Sequence, residues 1–143
     1  MTSLPLPYAN AAAIQRKIVA TVDRTLGPAH EQSFVDRIKL IHFLLKARPP
    51  EVPEAERLTR EEVHRQIGLH GTDHLNTATA MQYHADILEI FKGDHAAAEP
   101  LYRAVLQVRK KLLPKNHAHL RITREHLTAL MRKTRPARKS QTQ

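Results

Sequence analysis

AEPLYRAVLQVRKKLLPKNH, residues 98–117, places Leu101, Ala104, Val105, Val108 and Leu112 on one helical face, then breaks off in a basic run, a proline and a histidine. Apolar residues recurring three and four apart mark a helix that buries one side. Pro114 cannot continue it, because a proline lacks the N–H and its ring clashes with the preceding turn. Asn116-His117 stands where a following helix would begin. Diluted copies of the same phrase occur twice upstream, as ANAAAIQRKIVATVDRTLGPAH ending at His30 and EAERLTREEVHRQIGLHGTDH ending at His74. The three histidines lie 44 and 43 residues apart. A period in this range, with two helices per unit, predicts a helical repeat in which each unit buries its apolar face against its neighbours.

The rest of the chain fits that frame as six helices. In the first, Ile14, Ile18, Val22 and Leu26 fall four apart before Gly27-Pro28. This spacing predicts that Ile14, Ile18 and Val22 pack on the second helix. Ala11, Val19 and Ala20 would then face the open end of the array, to be covered by the lead-in, a second copy or a larger partner. The second helix carries Phe34, Ile38, Ile41 and Leu45 and ends before ARPP at 47–50. The third contains competing start signals. Thr59-Arg60-Glu61-Glu62 is a capping box, whereas Pro53 suits a first helical turn. The repeat length favours one helix from Pro53 to about Gly68. The fourth, 76–92, has a broad stripe of Met81, Ala85, Ile87, Leu88 and Phe91, and the sixth, 119–133, carries Leu120, Leu127, Leu130 and Met131. No convincing period-two strand appears, so the expected class is all-α. MTSLPLPYA (1–9) is expected to be an extended lead-in, 10–133 the array, and 134–143 a basic, disordered tail.

Composition narrows the function. The 143 residues include no cysteine, which excludes disulfides, thiolate metal sites and a cysteine nucleophile. The apolar runs are short (IHFLL at 41–45), so no membrane span is expected. Four glycines leave no phosphate-cradling loop, and Gly-x-Ser-x-Gly, His-Glu-x-x-His and paired-carboxylate motifs are missing. The expectation is a non-enzyme without cofactor, metal or small-molecule substrate. His70 and His74 with Asp73, and the pair His117 and His119, have ligand-like spacing. Gly71 interrupts the first group, however, and both sit in equivalent repeat turns, so they are expected to cap or pack those turns. The expected setting is intracellular, cytoplasmic first. Residues 1–22, with Arg16, Lys17 and no acid, also resemble a mitochondrial presequence and keep an organellar alternative open.

Charge is distributed unevenly. Residues 1–102 hold 11 Lys+Arg and 13 Asp+Glu, or −2, while residues 103–143 hold 12 Lys+Arg and only Glu125, or +11. Such asymmetry points to a polyanionic partner. The candidate contacts are Arg109, Lys110, Lys111, Lys115, Arg121, Arg132, Lys133, Arg135, Arg138 and Lys139. Without interleaved aromatics, base stacking is not expected; if nucleic acid binds, its backbone is what is held.

The phrases EAE-x-L-x-R and AEPLYRAVL, and the turn G-x-D-H followed by T-A-T, resemble the kinesin light chain-type tetratricopeptide repeat. The resemblance spans residues 10–133 and is closest over 73–117. It implies antiparallel helix pairs stacked as a short right-handed solenoid, a protein-interaction or assembly role, and a concave face lined by alternate helices. On this match Gly93, Ala98, Leu101, Tyr102, Val105 and Pro114 are structural repeat positions, and Gln82, Tyr83, Asp86, Arg124 and Glu125 line the partner-binding face. The three turn histidines lack the family's following proline, and its paired asparagines are replaced by Gln82-Tyr83 and Arg124-Glu125. Two functions are therefore expected: a protein-binding assembly subunit with a basic end for an acidic partner, or a structural subunit of a ribonucleoprotein or organellar complex that contacts RNA backbone through residues 103–139.

Overall fold

The computed structural model describes residues 7–134. It is all-helical, with six α-helices and no strand among the described residues: α1 (Pro7–Leu26), α2 (Glu31–Lys46), α3 (Val52–His70), α4 (Leu75–Asp86, continued by a π-helical turn Ile87–Phe91), α5 (His95–Leu112) and α6 (Ala118–Thr134). The chain divides into two compact units, Met1–Gly71 and Thr72–Gln143, each containing three helices that pack on their neighbours in sequence.

The histidine turns have one geometry. The backbone N–H two residues on, from Gln32, Asn76 and His119, donates to Nδ1 of His30, His74 and His117, each at 3.0 Å. A side-chain acceptor at this position satisfies one of the orphan donors of a helix start. The imidazoles therefore replace the usual Ser, Thr or Asp caps of α2, α4 and α6. The helices before these turns stop at Gly27 and Gly71, both with positive φ, and at Leu113-Pro114.

In the first unit, α1 differs from expectation in two ways. It begins at Pro7, so residues 7–9 are helical rather than extended; a first-turn proline has no intrahelical N–H to lose. The Tyr8 ring meets His42 and Phe43 of α2 at centroid distances of 6.2 and 6.1 Å. More importantly, the packing face is Ala12 and Gln15, with Ala11 and Val19 partly buried. Ile14 is 61% exposed and Ile18 39% exposed. Polar bonds set this rotation. Gln15 Nε2 donates to the Asp36 carbonyl at 3.0 Å and to its Oδ1 at 3.2 Å, and Arg16 reaches Glu54 at 2.7 Å and Glu51 at 3.2 Å. With these partners on α2 and α3, the isoleucines are turned outward. Those two carboxylates also hold the Arg16 guanidinium firmly charged, and the Arg16 bond keeps the Glu54 carboxyl below the usual range despite partial burial.

α2 and α3 enclose a charged core. Glu62, fully buried, accepts from Arg37 at 3.3 Å and from Gln66 at 2.7 Å, and also pairs with Arg65. Arg37, 5% exposed, in turn bonds Asp23 of α1 at 2.6 Å and the Pro28 carbonyl at 3.0 Å. A buried charge is tolerable when neighbours complete its bonds, and here four residues do so. The capping-box alternative for α3 is not used: Thr59 lies inside the helix, its hydroxyl donating to the Ala55 carbonyl at 2.6 Å.

The second unit is more apolar. Tyr102, Ala98 and Ala85 form one core with Leu127 and Leu130, flanked by Leu88, Leu101, Leu106 and Met131. Val105 and Val108 pack with Ala78 and Met81. Leu112, expected on this face, is 44% exposed because it lies in the last turn of α5.

Candidate interaction surface

Two groups of polar residues distinguish the second unit, one internal and one open. The internal group joins α4, α5 and α6. Asp86 Oδ1 accepts from the Tyr102 hydroxyl at 2.6 Å, the Gln82 amide at 3.0 Å and His126 Nδ1 at 2.9 Å. Gln82 Oε1 accepts from Arg109 Nη1 at 3.2 Å and from the Thr123 hydroxyl at 3.0 Å. Arg109 continues to Thr123 Oγ1 at 2.7 Å, the His119 carbonyl at 3.4 Å and Thr79 Oγ1 at 3.5 Å. It is 4% exposed and has no ion-pair partner among the described residues. Burial alone lowers its pKa, against the more distant charge of Asp86. The bond to Asp86 raises the pKa of His126; burial, with Asp86 close by, pushes up the phenols of Tyr102 and Tyr83.

This group ties helices together. Asp86 Oδ1 takes all three donors and Tyr102 is wholly enclosed, so both serve the packing of the unit. A second clamp closes the far end. The π turn carries Glu89 inward (7% exposed), where it accepts from Lys133 of α6 at 2.9 Å and pairs with His95 of α5. Burial would raise the Glu89 pKa, but Lys133 and His95 together outweigh it and hold the carboxyl below its ordinary range.

The open group lies on α6 and the turn before it. Lys115, Asn116, Arg121, Arg124, Glu125, Thr128 and Arg132 line a solvent-open cleft of about 490 Å³. All seven are exposed. The four cations have no ion pair or hydrogen bond among the described residues, whereas nearby cations are engaged: Lys111 with Asp73, Lys133 with Glu89, and Arg103 with Glu99 at 2.9 Å.

The sequence-derived candidates therefore divide. Arg109 does not belong to the basic surface; it is buried at the i+7 position from Tyr102 and bonded inside the unit. Lys115, Arg121 and Arg132 gather in the cleft, Lys110 is exposed away from its lining, and Lys111 and Lys133 are paired. Arg135, Arg138 and Lys139 lie outside the described residues. Of the partner-face set, Gln82 is buried, and Asp86 and Tyr83 are largely enclosed, so these three form part of the internal seam. Arg124 and Glu125 are exposed, in the cleft rather than beside Gln82. Among the repeat positions, Ala98, Tyr102 and Val105 are fully buried and Leu101 partly so. Gly93 takes φ of 64°, and Pro114 accepts the His117 N–H in the turn before α6. The role of Arg124 in the cleft was visible as spacing: Arg121, Arg124, Thr128 and Arg132 recur at helical intervals.

No protein-family model matches the chain, and no curated protein compared with it is similar to it.

Proposed function

We propose that this chain is a non-catalytic interaction or assembly subunit, built from tetratricopeptide-like helix pairs, whose basic C-terminal end holds an acidic partner. One observation carries this: four cations share a single open cleft on α6 with no partner of their own among the described residues, in a unit whose other charged side chains are mostly paired or bonded. Like charges at this density repel one another, and an arriving anionic surface relieves that repulsion. The common histidine cap supports the repeat kinship, since it places α2, α4 and α6 in one register. Enzymatic chemistry lacks support, because the carboxylate–imidazole pairs Asp86–His126 and Glu89–His95 are committed to joining elements of the second unit.

The test is affinity capture from cells with wild type and with Lys115, Arg121, Arg124 and Arg132 all changed to Gln, each with and without nuclease. A partner held by wild type in the presence of nuclease and lost from the variant is expected. Capture that disappears on nuclease treatment transfers the function to RNA backbone, and capture indifferent to the four substitutions removes the cleft from it.

A further inference from the structure

The repeat itself indicates what the α6 cleft accommodates. Counted from their histidine caps, α2, α4 and α6 share one numbering. Positions 4, 7, 11 and 14 after the cap are Phe34, Arg37, Ile41 and Leu44 in α2, and Ala78, Met81, Ala85 and Leu88 in α4. In α4 this stripe meets the helix that follows in the chain, and in α2 its Arg37 does so. Arg37 binds Glu62 of α3 at 3.3 Å, while Ala78 and Met81 pack with Val105 and Val108 of α5, and Ala85 with Tyr102. In α6 the same positions are Arg121, Arg124, Thr128 and Met131, and the first three line the open cleft. The cleft is thus the seat of a following helix with its apolar contacts replaced by cations. An α5-like apolar helix would strip water from unpaired guanidinium groups, which is strongly unfavourable. A helix carrying carboxylates would not, and α2 supplies the pattern: Arg37, the counterpart of Arg124, is 5% exposed yet satisfied by the buried Glu62 and by Asp23.

We propose that the Arg121–Arg124–Thr128 face of α6 is a docking seat for a glutamate-bearing helix of a partner protein, seated as α3 sits on α2, with a carboxylate on Arg124 as Glu62 is on Arg37. It rests on the acidic-partner function proposed above and specifies that partner's chemistry. Two other occupants fit less well. A second copy would offer its exposed α1 stripe, but Lys17 lies among those isoleucines and would bring cation against cation. A phosphate backbone would meet Glu125 inside the cleft, which repels it, whereas a helix with one basic residue beside its glutamates can pair with Glu125, as Arg65 pairs with Glu62 within α3.

The test uses the full chain and a fluorescent peptide of the 19-residue α3 sequence, Val52–His70, carrying Arg57→Glu and Arg60→Glu to raise its negative charge. Comparison probes are the same peptide with Val63→Pro, which breaks the helix, and a polyuridylate RNA of about 20 nucleotides. Anisotropy is expected to report saturable peptide binding that weakens on the order of tenfold with Arg124→Glu in the protein, and by a similar factor with the proline peptide. A peptide carrying Glu62→Arg is expected to restore binding to the Arg124→Glu protein. Circular dichroism checks that this exposed substitution preserves helix content, and Arg124→Gln serves as the milder variant. Equal binding of helical and proline peptides, tighter binding of the RNA, or insensitivity to both Arg124 variants overturns the helix seat while leaving a general acidic partner standing. Failure of both peptide and RNA to bind overturns the acidic-partner function as well.

Discussion

Tyr102 is the residue on which packing of the second unit most depends, and truncating it in two steps separates ring from hydroxyl. Its side chain is fully enclosed, and its hydroxyl donates to Asp86 at 2.6 Å. In Tyr102→Phe the ring stays and one charge-assisted bond is lost. Such bonds contribute about 1.5–3 kcal/mol, and the low end applies because Asp86 keeps Gln82 and His126 as donors. In Tyr102→Ala the ring is lost too. Aromatic-to-alanine changes in cores cost about 3–5 kcal/mol, with the upper end where surrounding side chains cannot collapse inward. Two of the neighbours, Ala85 and Ala98, have no side chain to move, so about 4–5 kcal/mol is expected. A domain holds about 5–15 kcal/mol in total, so the alanine variant should leave α4–α6 near its unfolding point. Urea denaturation by circular dichroism gives the magnitude, and hydrogen exchange of peptides from residues 75–134 locates the loss. Equal costs for phenylalanine and alanine would show that the ring contributes no packing. Costs below about 0.5 kcal/mol for both would refute the packing role altogether.

Two further expectations concern the internal seam. The His126 pKa is raised above its ordinary 6.5, chiefly by Asp86, with Glu125 adding to it and burial and Arg109 opposing it. A raised folded-state value means the stabilisation is full below 6.5 and lost as pH rises through the folded value. The melting temperature of wild type relative to His126→Asn should therefore drop as the pH is raised above 6.5, and a flat or rising difference would contradict the bond. Arg109→Met, which keeps the bulk but withdraws the donors, should destabilise the second unit by about 1–3 kcal/mol in urea, since Gln82, His119 and Thr79 lose a partner. The same variant should leave partner capture unchanged, because Arg109 is inside; weakened capture from a folded variant would return it to the surface.

The number and order of the helices are legible in the sequence because Leu, Ile, Val and Ala recur at helical spacing between turns marked by glycine, proline and histidine. The rotation of α1 is not. Its most regular stripe, Ile14–Ile18–Val22, reads as a packing face, yet the partners that fix the helix are polar groups 21 to 38 residues away, to which periodicity is blind. Arg109 is an intermediate case. Its place in an Arg-Lys-Lys run suggests surface, while its spacing from Tyr102 and Val105 puts it on the buried face, and the spacing prevails because four neutral acceptors surround it. The inward turn of Glu89 depends on a π turn, whose extra residue per turn leaves no compositional mark. For the cleft, charge asymmetry locates the basic end, but only the shared histidine register distinguishes its helix-seat positions from cations that are simply exposed.

The central claim is that a partner meets this protein at the α6 cleft, and lysine crosslinking in cells with mass spectrometry tests it most directly. Lys115 lines the cleft, while Lys39 and Lys46 are exposed on α2 in the other unit and provide an internal comparison. Crosslinks to another protein are expected at Lys115, and they should disappear when Arg121 and Arg124 are changed to Gln. Partner crosslinks confined to Lys39 and Lys46, or persisting at Lys115 in that variant, would contradict the claim.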